Sequence, residues 1–340
     1  MRLVSAPMSD FVQAGQMTET KQALERLRAN MRVTIKGKDD VVEQVLVCLV
    51  AGGHLLIEDL PGVGKTTLAY SLARSMDCAF SRVQFTSDLL PSDVTGVAIY
   101  DETMKEFVFK KGPVFANVVL ADEINRATPK TQSAMLEAMQ ERQVTAGGAV
   151  RPLPLPFFVL ATQNPIDQEG TYPLPEAQLD RFFFKLLVGY PTREELTEIL
   201  NRTTEGEKVI PQKVVSGEEL LALQKMVRQV PIATAVKDYA VRLVLATHPK
   251  TDTAAPITNQ FLRFGSSPRA AQVLTLAGKV RALTQGRFNV SFEDIAAVAA
   301  PAFRHRLIPN FEAEAEGVTT DQIIAQILRD VPRDAGLVSA

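Results

Sequence analysis

The chain has 340 residues, long for one domain and comfortable for two. Hydrophobic residues make up 46%, charged residues 22%, and the net charge is −2, the balance of an ordinary folded protein with large cores. That balance argues against a protein that grips nucleic acid mainly by charge; two cysteines thirty positions apart argue against a disulfide scaffold, and three scattered histidines against a zinc site.

The opening stretch "MRLVSAPMSDFVQAG" lacks the apolar core of a signal peptide. The longest apolar run, "VLVCLVAGGHLLI", is too short and too broken by glycine to span a bilayer. A cytoplasmic location without membrane insertion is expected, with Cys48 and Cys78 as buried free thiols.

Residues 1–17 read as frayed, and 18–31 as a helix capped by Thr18. Short apolar runs then alternate with helical patterns: "HLLIE" (54–58), "SRVQF" (81–85), "NVVLAD" (117–122), "FFVLATQN" (157–164) and "FFKLLV" (183–188). This alternation predicts an α/β fold with a largely parallel sheet covered on both faces. After "GYPTREE" (189–195) the texture changes to helices only, at 193–203, 217–229, 233–247, 267–285, 291–302 and 319–330.

The first strand runs into "DLPGVGKTT" and then a helix. A phosphate-binding loop normally reads G-x-x-x-x-G-K-[ST]. Here Asp59 occupies the first glycine's place, a position that mainly relieves the turn leaving the strand and that Asp tolerates. The remaining cradle, Pro61, Gly62, Val63, Gly64, Lys65, Thr66 and Thr67, is complete. Gly62 and Gly64 allow positive φ, so consecutive N–H groups can curl around a phosphate at a helix N-terminus. Lys65 can reach the terminal phosphates, and the Thr66 hydroxyl can take a Mg²⁺ coordination position.

"NVVLADEINRA" drives a strand through the core and ends it at two acids. Adjacent side chains at a strand end diverge, so Asp122 is assigned to hold Mg²⁺ through its waters and Glu123 to polarise a water for attack on the γ-phosphate. "FFVLATQNP" delivers Asn164 at another strand end, where it can orient that water.

Two insertions interrupt the core. "GVAIY" and "EFVFKKG" read as a hairpin around "DETMK", and "RQVTAGGAVRP" as a second one turned by Gly147–Gly148. Near the C-terminal end, "FRHRLIPNFEAEAEG" sets Arg304, His305 and Arg306 before three glutamates. It reads equally as a solvated charged surface or as a contact surface.

Taken in order, "IEDLPGVGKT", "ADEINRA", "ATQNP", "LPEAQLDRF" and "GSSPRA" resemble the MoxR family of AAA+ ATPases over about residues 30–330. The Asp before "LPGVGKT" resembles that family's own loop. The resemblance implies a P-loop NTPase core followed by an all-helical lid, here divided as an extension and helix (1–29), an AAA+ core (30–188) and a lid (189–340). It implies Asn164 as sensor 1, Arg181 as an arginine finger reaching a neighbouring subunit's nucleotide, and Arg269 as sensor 2. Ser267 as cap and Pro268 as first helical residue would set Arg269 in a first turn, where a bound phosphate offsets the unfavourable dipole. Ile35 and Gly37 would border the base, and the two hairpins match inserts that face a channel or partner. ATP hydrolysis with Mg²⁺ in a homo-oligomeric, hexameric ring is implied, driving chaperone-like maturation or activation of a client protein. A von Willebrand factor A domain partner is expected as a separate chain. A metal-chelatase motor, a nucleic-acid-linked motor and a non-hydrolysing nucleotide switch are the alternatives; the net charge argues against the second, and Glu123, Asn164 and Arg181 together argue against the third.

Overall fold

The computed structural model describes residues 14–35, 37–59, 64–164, 170–189, 192–204 and 211–334. It divides into two compact units: Arg26–Leu221, and Ala222 onward together with the chain up to Glu25.

In the first unit the elements run α1 (Ala14–Thr34, shared with the second unit), α2 (Asp39–Val50), β1 (Leu55–Asp59), α3 (Lys65–Ser75), β2 (Phe80–Gln84), α4 (Pro91–Thr95), β3 (Gly96–Asp101), β4 (Glu106–Lys111), β5 (Val118–Asp122), α5 (Pro129–Glu141), β6 (Gln143–Ala146), β7 (Ala149–Pro152), β8 (Phe158–Gln163), α6 (Glu176–Leu179), β9 (Phe184–Val188), α7 (Arg193–Thr204) and α8 (Gly217–Gln229, also shared). The five apolar runs form one sheet of order β2-β5-β8-β1-β9, and every neighbouring pair is parallel. Parallel strands need crossovers, and the intervening helices cover both faces, which is why the inner strands β5 and β8 are buried almost throughout, whereas the edge strands β2 and β9 carry polar residues and exposed positions. Leu56, Val83, Val119, Ala121, Val159 and Ala161 share one buried cluster with Met135 and Leu136 of α5.

The two expected hairpins form. β3 pairs antiparallel with β4, and β6 with β7. Gly147 and Gly148 both have positive φ, 61° and 74°, as a two-residue turn of that twist requires. The hairpins meet: the Arg151 guanidinium lies 3.9 Å from the centre of the Phe109 ring.

The second unit carries α9 (Thr234–Ala246), α10 (Pro256–Phe261), β10 (Leu262–Phe264), α11 (Arg269–Thr284), α12 (Phe292–Ala297), α13 (Ala299–Phe303), β11 (Ile308–Pro309), α14 (Phe311–Glu316) and α15 (Thr320–Asp330). Its helix starts are locally encoded. Ser291 and Asp294 form a capping box on α12, Thr319 and Gln322 another on α15, and Asn310 caps α14.

Several expectations need correction. Thr18 does not cap α1, which already begins at Ala14; residues 1–13 lie outside the described ones. The region after 189 is not purely helical, because β10 and β11 pair antiparallel. The helix expected at 291–302 is two, divided at Val298. Pro301 has no N–H to continue the first ladder, and it is tolerated in the first turn of α13, where that donor has no intrahelical acceptor anyway. The cluster 304–306 is not a solvated surface: His305 and Arg306 are buried, and Arg304 pairs with Asp321 at 2.6 Å. Glu312, Glu314 and Glu316 are exposed. Cys48 is buried, but Cys78 only half-buried. Among the described residues, no helix is long and apolar enough to cross a membrane.

Candidate active site

The carboxyl ends of the parallel strands gather the chemistry, as open α/β sheets do. β1 leads toward the loop, and α3 begins at Lys65 directly after Gly64, whose φ is 85°. A Cβ built on Gly64 meets nothing within 4 Å, so the glycine serves the left-handed backbone and not a close approach. Lys65 opens the helix half-buried; Thr66 and Thr67 in its first turn are exposed, while Leu68, Ala69, Leu72 and Ala73 anchor the helix. Pro61, Gly62 and Val63 lie outside the described residues.

At the end of β5, Asp122 is buried and Glu123 takes the left-handed region with φ 55°. A non-glycine residue held there is uncommon, and it turns the Glu123 side chain away from that of Asp122. Thr162 of β8 fastens both. Its hydroxyl accepts the Glu123 N–H at 2.8 Å and donates to Asp122 Oδ1 at 2.7 Å. The other Asp122 oxygen, Oδ2, receives Arg82 Nη2 at 2.5 Å and Nε at 3.2 Å. Glu123 Oε2 receives Gln84 Nε2 at 2.9 Å and Arg126 Nη1 at 3.1 Å. Arg82 and Gln84 are two apart on β2, hence on one face, and the register sets Gln84 opposite Asp122.

Asn164 follows β8 and is half-buried. β8 lies between β5 and β1, so the sheet order places Asn164 between the acid pair and the loop strand. Arg181 stands apart. It lines a polar hollow of about 530 Å³ with Glu137, Gln140 and Glu141 of α5.

Ile35, Lys38, Val41, Ile57, Leu68 and Val188 line a narrow apolar cleft together with Gly64 and Lys65. Ile35, expected to border the base, lies beside the start of α3. Gly37 does not line the cleft. Its φ is 73°, and a Cβ there would stand 2.3 Å from Glu195 Cγ, whose carboxylate pairs with Lys38 at 2.9 Å. The glycine admits α7 against this segment. The cleft holds about 20 Å³, roughly one water.

Arg269 is the first residue of α11 in the second unit, and its N–H donates to Ser267 Oγ at 3.2 Å. Pro268 precedes the helix instead of opening it, a shift of one position.

Sequence reasoning did not single out Thr162, Arg82, Gln84 or Arg126. The signal for the β2 pair was the spacing in "SRVQF", but it is readable only once β2 is known to neighbour β5. Among the described residues, no group of three or more His, Cys, Asp or Glu is disposed to hold a metal ion.

A five-stranded parallel sheet, a glycine-turned helix start after one strand and two diverging acids after another, with a helical second unit, define an AAA+ ATPase. Residues 54–184 match the ATPase family associated with various cellular activities, and residues 254–327 match the AAA lid domain. The chain is 44% identical over 308 residues to the chaperone MoxR1 of Mycobacterium tuberculosis, covering 91% of this chain and 81% of that one. It is 44% identical over 298 residues to YeaC of Bacillus subtilis (87% and 90% covered) and 28% identical over 339 residues to the protein MoxR of Methylorubrum extorquens (93% and 96%). The crystal structure of a candidate ATPase from Cytophaga hutchinsonii superposes with a TM-score of 0.88 at 41% identity, covering 94% of this chain and 97% of that one. The chain belongs to the MoxR family of AAA+ ATPases.

Proposed function

We propose that this protein hydrolyses Mg²⁺·ATP in a homo-oligomeric ring and uses the cycle to act, chaperone-like, on another protein. The observation that carries the reading is the Thr162 bridge, which holds two acids in divergent directions at one strand end beside the glycine-turned start of α3.

The residues fit the metal. Asp122 already takes a cation on Oδ2, and the Thr66 hydroxyl is exposed in the first turn of α3. Asp122 and Thr66 would hold Mg²⁺, which when bound neutralises phosphate charge. The backbone amides at the start of α3 and Lys65 hold the phosphates. Glu123 accepts the proton of the attacking water through Oε1, while Gln84 and Arg126 hold Oε2. Asn164 orients the water. Arg181, on a polar outer surface, serves the nucleotide of a neighbouring copy.

A client protein and a separate von Willebrand factor A domain partner are part of this proposal; the chaperone name borne by the mycobacterial relative supports the client. Lys65→Ala is expected to abolish ATP binding in a fluorescent-nucleotide titration; unchanged affinity defeats the loop assignment. Arg181→Ala is expected to slow hydrolysis on the order of 10³-fold or more. Mixing it with Glu123→Gln subunits should restore part of the activity, and no recovery in verified mixed rings rejects a shared site.

A further inference from the structure

The ion pair on Asp122 is unusual in where its cation comes from. Arg82 reaches from the neighbouring strand and presents two N–H groups to the single oxygen Oδ2. Thr162 gives Oδ1 one neutral hydrogen bond, so the charge of the carboxylate is offset by Arg82 alone among the bonds described. The two partners of Asp122 differ in how firmly they are held. Thr162 is fully buried in the sheet. The Arg82 side chain is 47% exposed, against 11% for that of Asp122, and is otherwise tied only through Nη2 to Gln84 Oε1 at 2.9 Å among the bonds described. A divalent ion held at this carboxylate and a guanidinium on the same carboxylate repel one another, since only a few ångströms part them. The group that yields is the exposed one, because it regains hydration when it leaves and abandons little packing.

We propose that Arg82 is a built-in competitor for the metal: it neutralises the buried Asp122 carboxylate and gives way when Mg²⁺ engages that carboxylate through its waters, raising the metal concentration the site demands. This rests on the reading of Asp122 as the metal-holding acid. Arg82 acts through Asp122 and is a positioning residue, not a catalytic one.

The test is metal binding measured without turnover. Mn²⁺ is titrated into the full chain saturated with ADP, with free Mn²⁺ followed by electron paramagnetic resonance, for wild type, Arg82→Gln, Arg82→Lys and Asp122→Asn. Arg82→Gln should lower the half-saturating Mn²⁺ by about five-fold, the scale of a half-exposed charge pair. Arg82→Lys, which keeps the charge but loses the fork, should fall between it and wild type, and it carries the test alone if Arg82→Gln does not fold. Unchanged or weaker Mn²⁺ binding in both Arg82 variants overturns the proposal, because a residue that merely props Asp122 in place would weaken the site when removed. Asp122→Asn separates the two failures. Loss of Mn²⁺ binding there with no gain in the Arg82 variants sinks the competitor alone, whereas unchanged binding in Asp122→Asn sinks the metal assignment itself.

Discussion

The two edges of the central sheet are built from similar polar groups to opposite ends. At the amino edge, His54 precedes β1 and is buried. Its Nδ1 accepts the Val159 N–H at 3.0 Å, so Nε2 carries the proton and donates to Met139 O at 2.9 Å. Asn117 precedes β5 and stitches three segments: its Oδ1 accepts the Ala79 N–H, its Nδ2 donates to Pro156 O, and its backbone oxygen accepts the Phe158 N–H. Every partner is backbone and every group is neutral. At the carboxyl edge, Asp122 and Glu123 are charged, and Arg82, Gln84 and Arg126 reach them with side chains that solvent also touches. Backbone partners cannot leave without unfolding a strand. Exposed side-chain partners can, so exchangeable bonds collect where the chemistry is, around the buried Thr162 bridge, while the other end holds permanent ones.

The sharpest way to break this contrast is at the carboxyl edge. Glu123→Gln keeps the shape and removes the base, and hydrolysis is expected to fall roughly 10²–10⁴-fold with ATP binding retained. Near-normal phosphate release would remove Glu123 from its role and leave the two edges alike.

The amino edge should answer to acid instead. Burial away from water is the main cause that lowers the His54 pKa from 6.5 to about 4. The unfolded chain therefore binds this proton near pH 6.5 and the folded chain only near pH 4. Stability is complete above that window, declines as the pH falls through it and levels off below it. The two values bound the loss at about 3 kcal/mol. Urea midpoints for wild type and His54→Gln across pH 4–7 would show it, and parallel pH curves for the two would reject the assignment.

Asn117→Ala should cost about 1–3 kcal/mol, because backbone groups of two neighbouring segments lose their partner. Hydrolysis per folded molecule should not change; a matching loss of turnover would show that the edges are not separable. The smallest expected effect is a control outside the sheet. The exposed pair Arg333–Glu293, 2.6 Å apart, should couple by no more than about 1 kcal/mol in a double-mutant cycle.

Much of the α/β unit was legible because its signals are local. A run such as "NVVLAD" can satisfy its backbone and bury its side chains only as a central strand, and Gly147–Gly148 admits the hairpin turn that Ala–Ala would resist. The expected strands "HLLIE", "SRVQF" and "FFKLLV" each fall within one residue at both ends of β1, β2 and β9. Less legible were elements whose partner is distant and whose length is small. β10 and β11 have three and two residues and lie more than forty positions apart, too short for any period to register. The division at Val298 was readable in principle from Pro301.

The same distinction runs through the site. Residue type and spacing alone were enough to nominate Lys65, Thr66, Asp122, Glu123 and Asn164, because a phosphate cradle and a strand-end acid pair are short contiguous patterns. Which groups hold those acids was invisible along the chain: Arg82 and Thr162 are each forty positions from Asp122. They meet it only because folding sets β2 and β8 on either side of β5. Lateral order in a parallel sheet comes from helical crossovers and burial of both faces, which no local window contains, so the partners that restrain a charge emerge only in the packed fold.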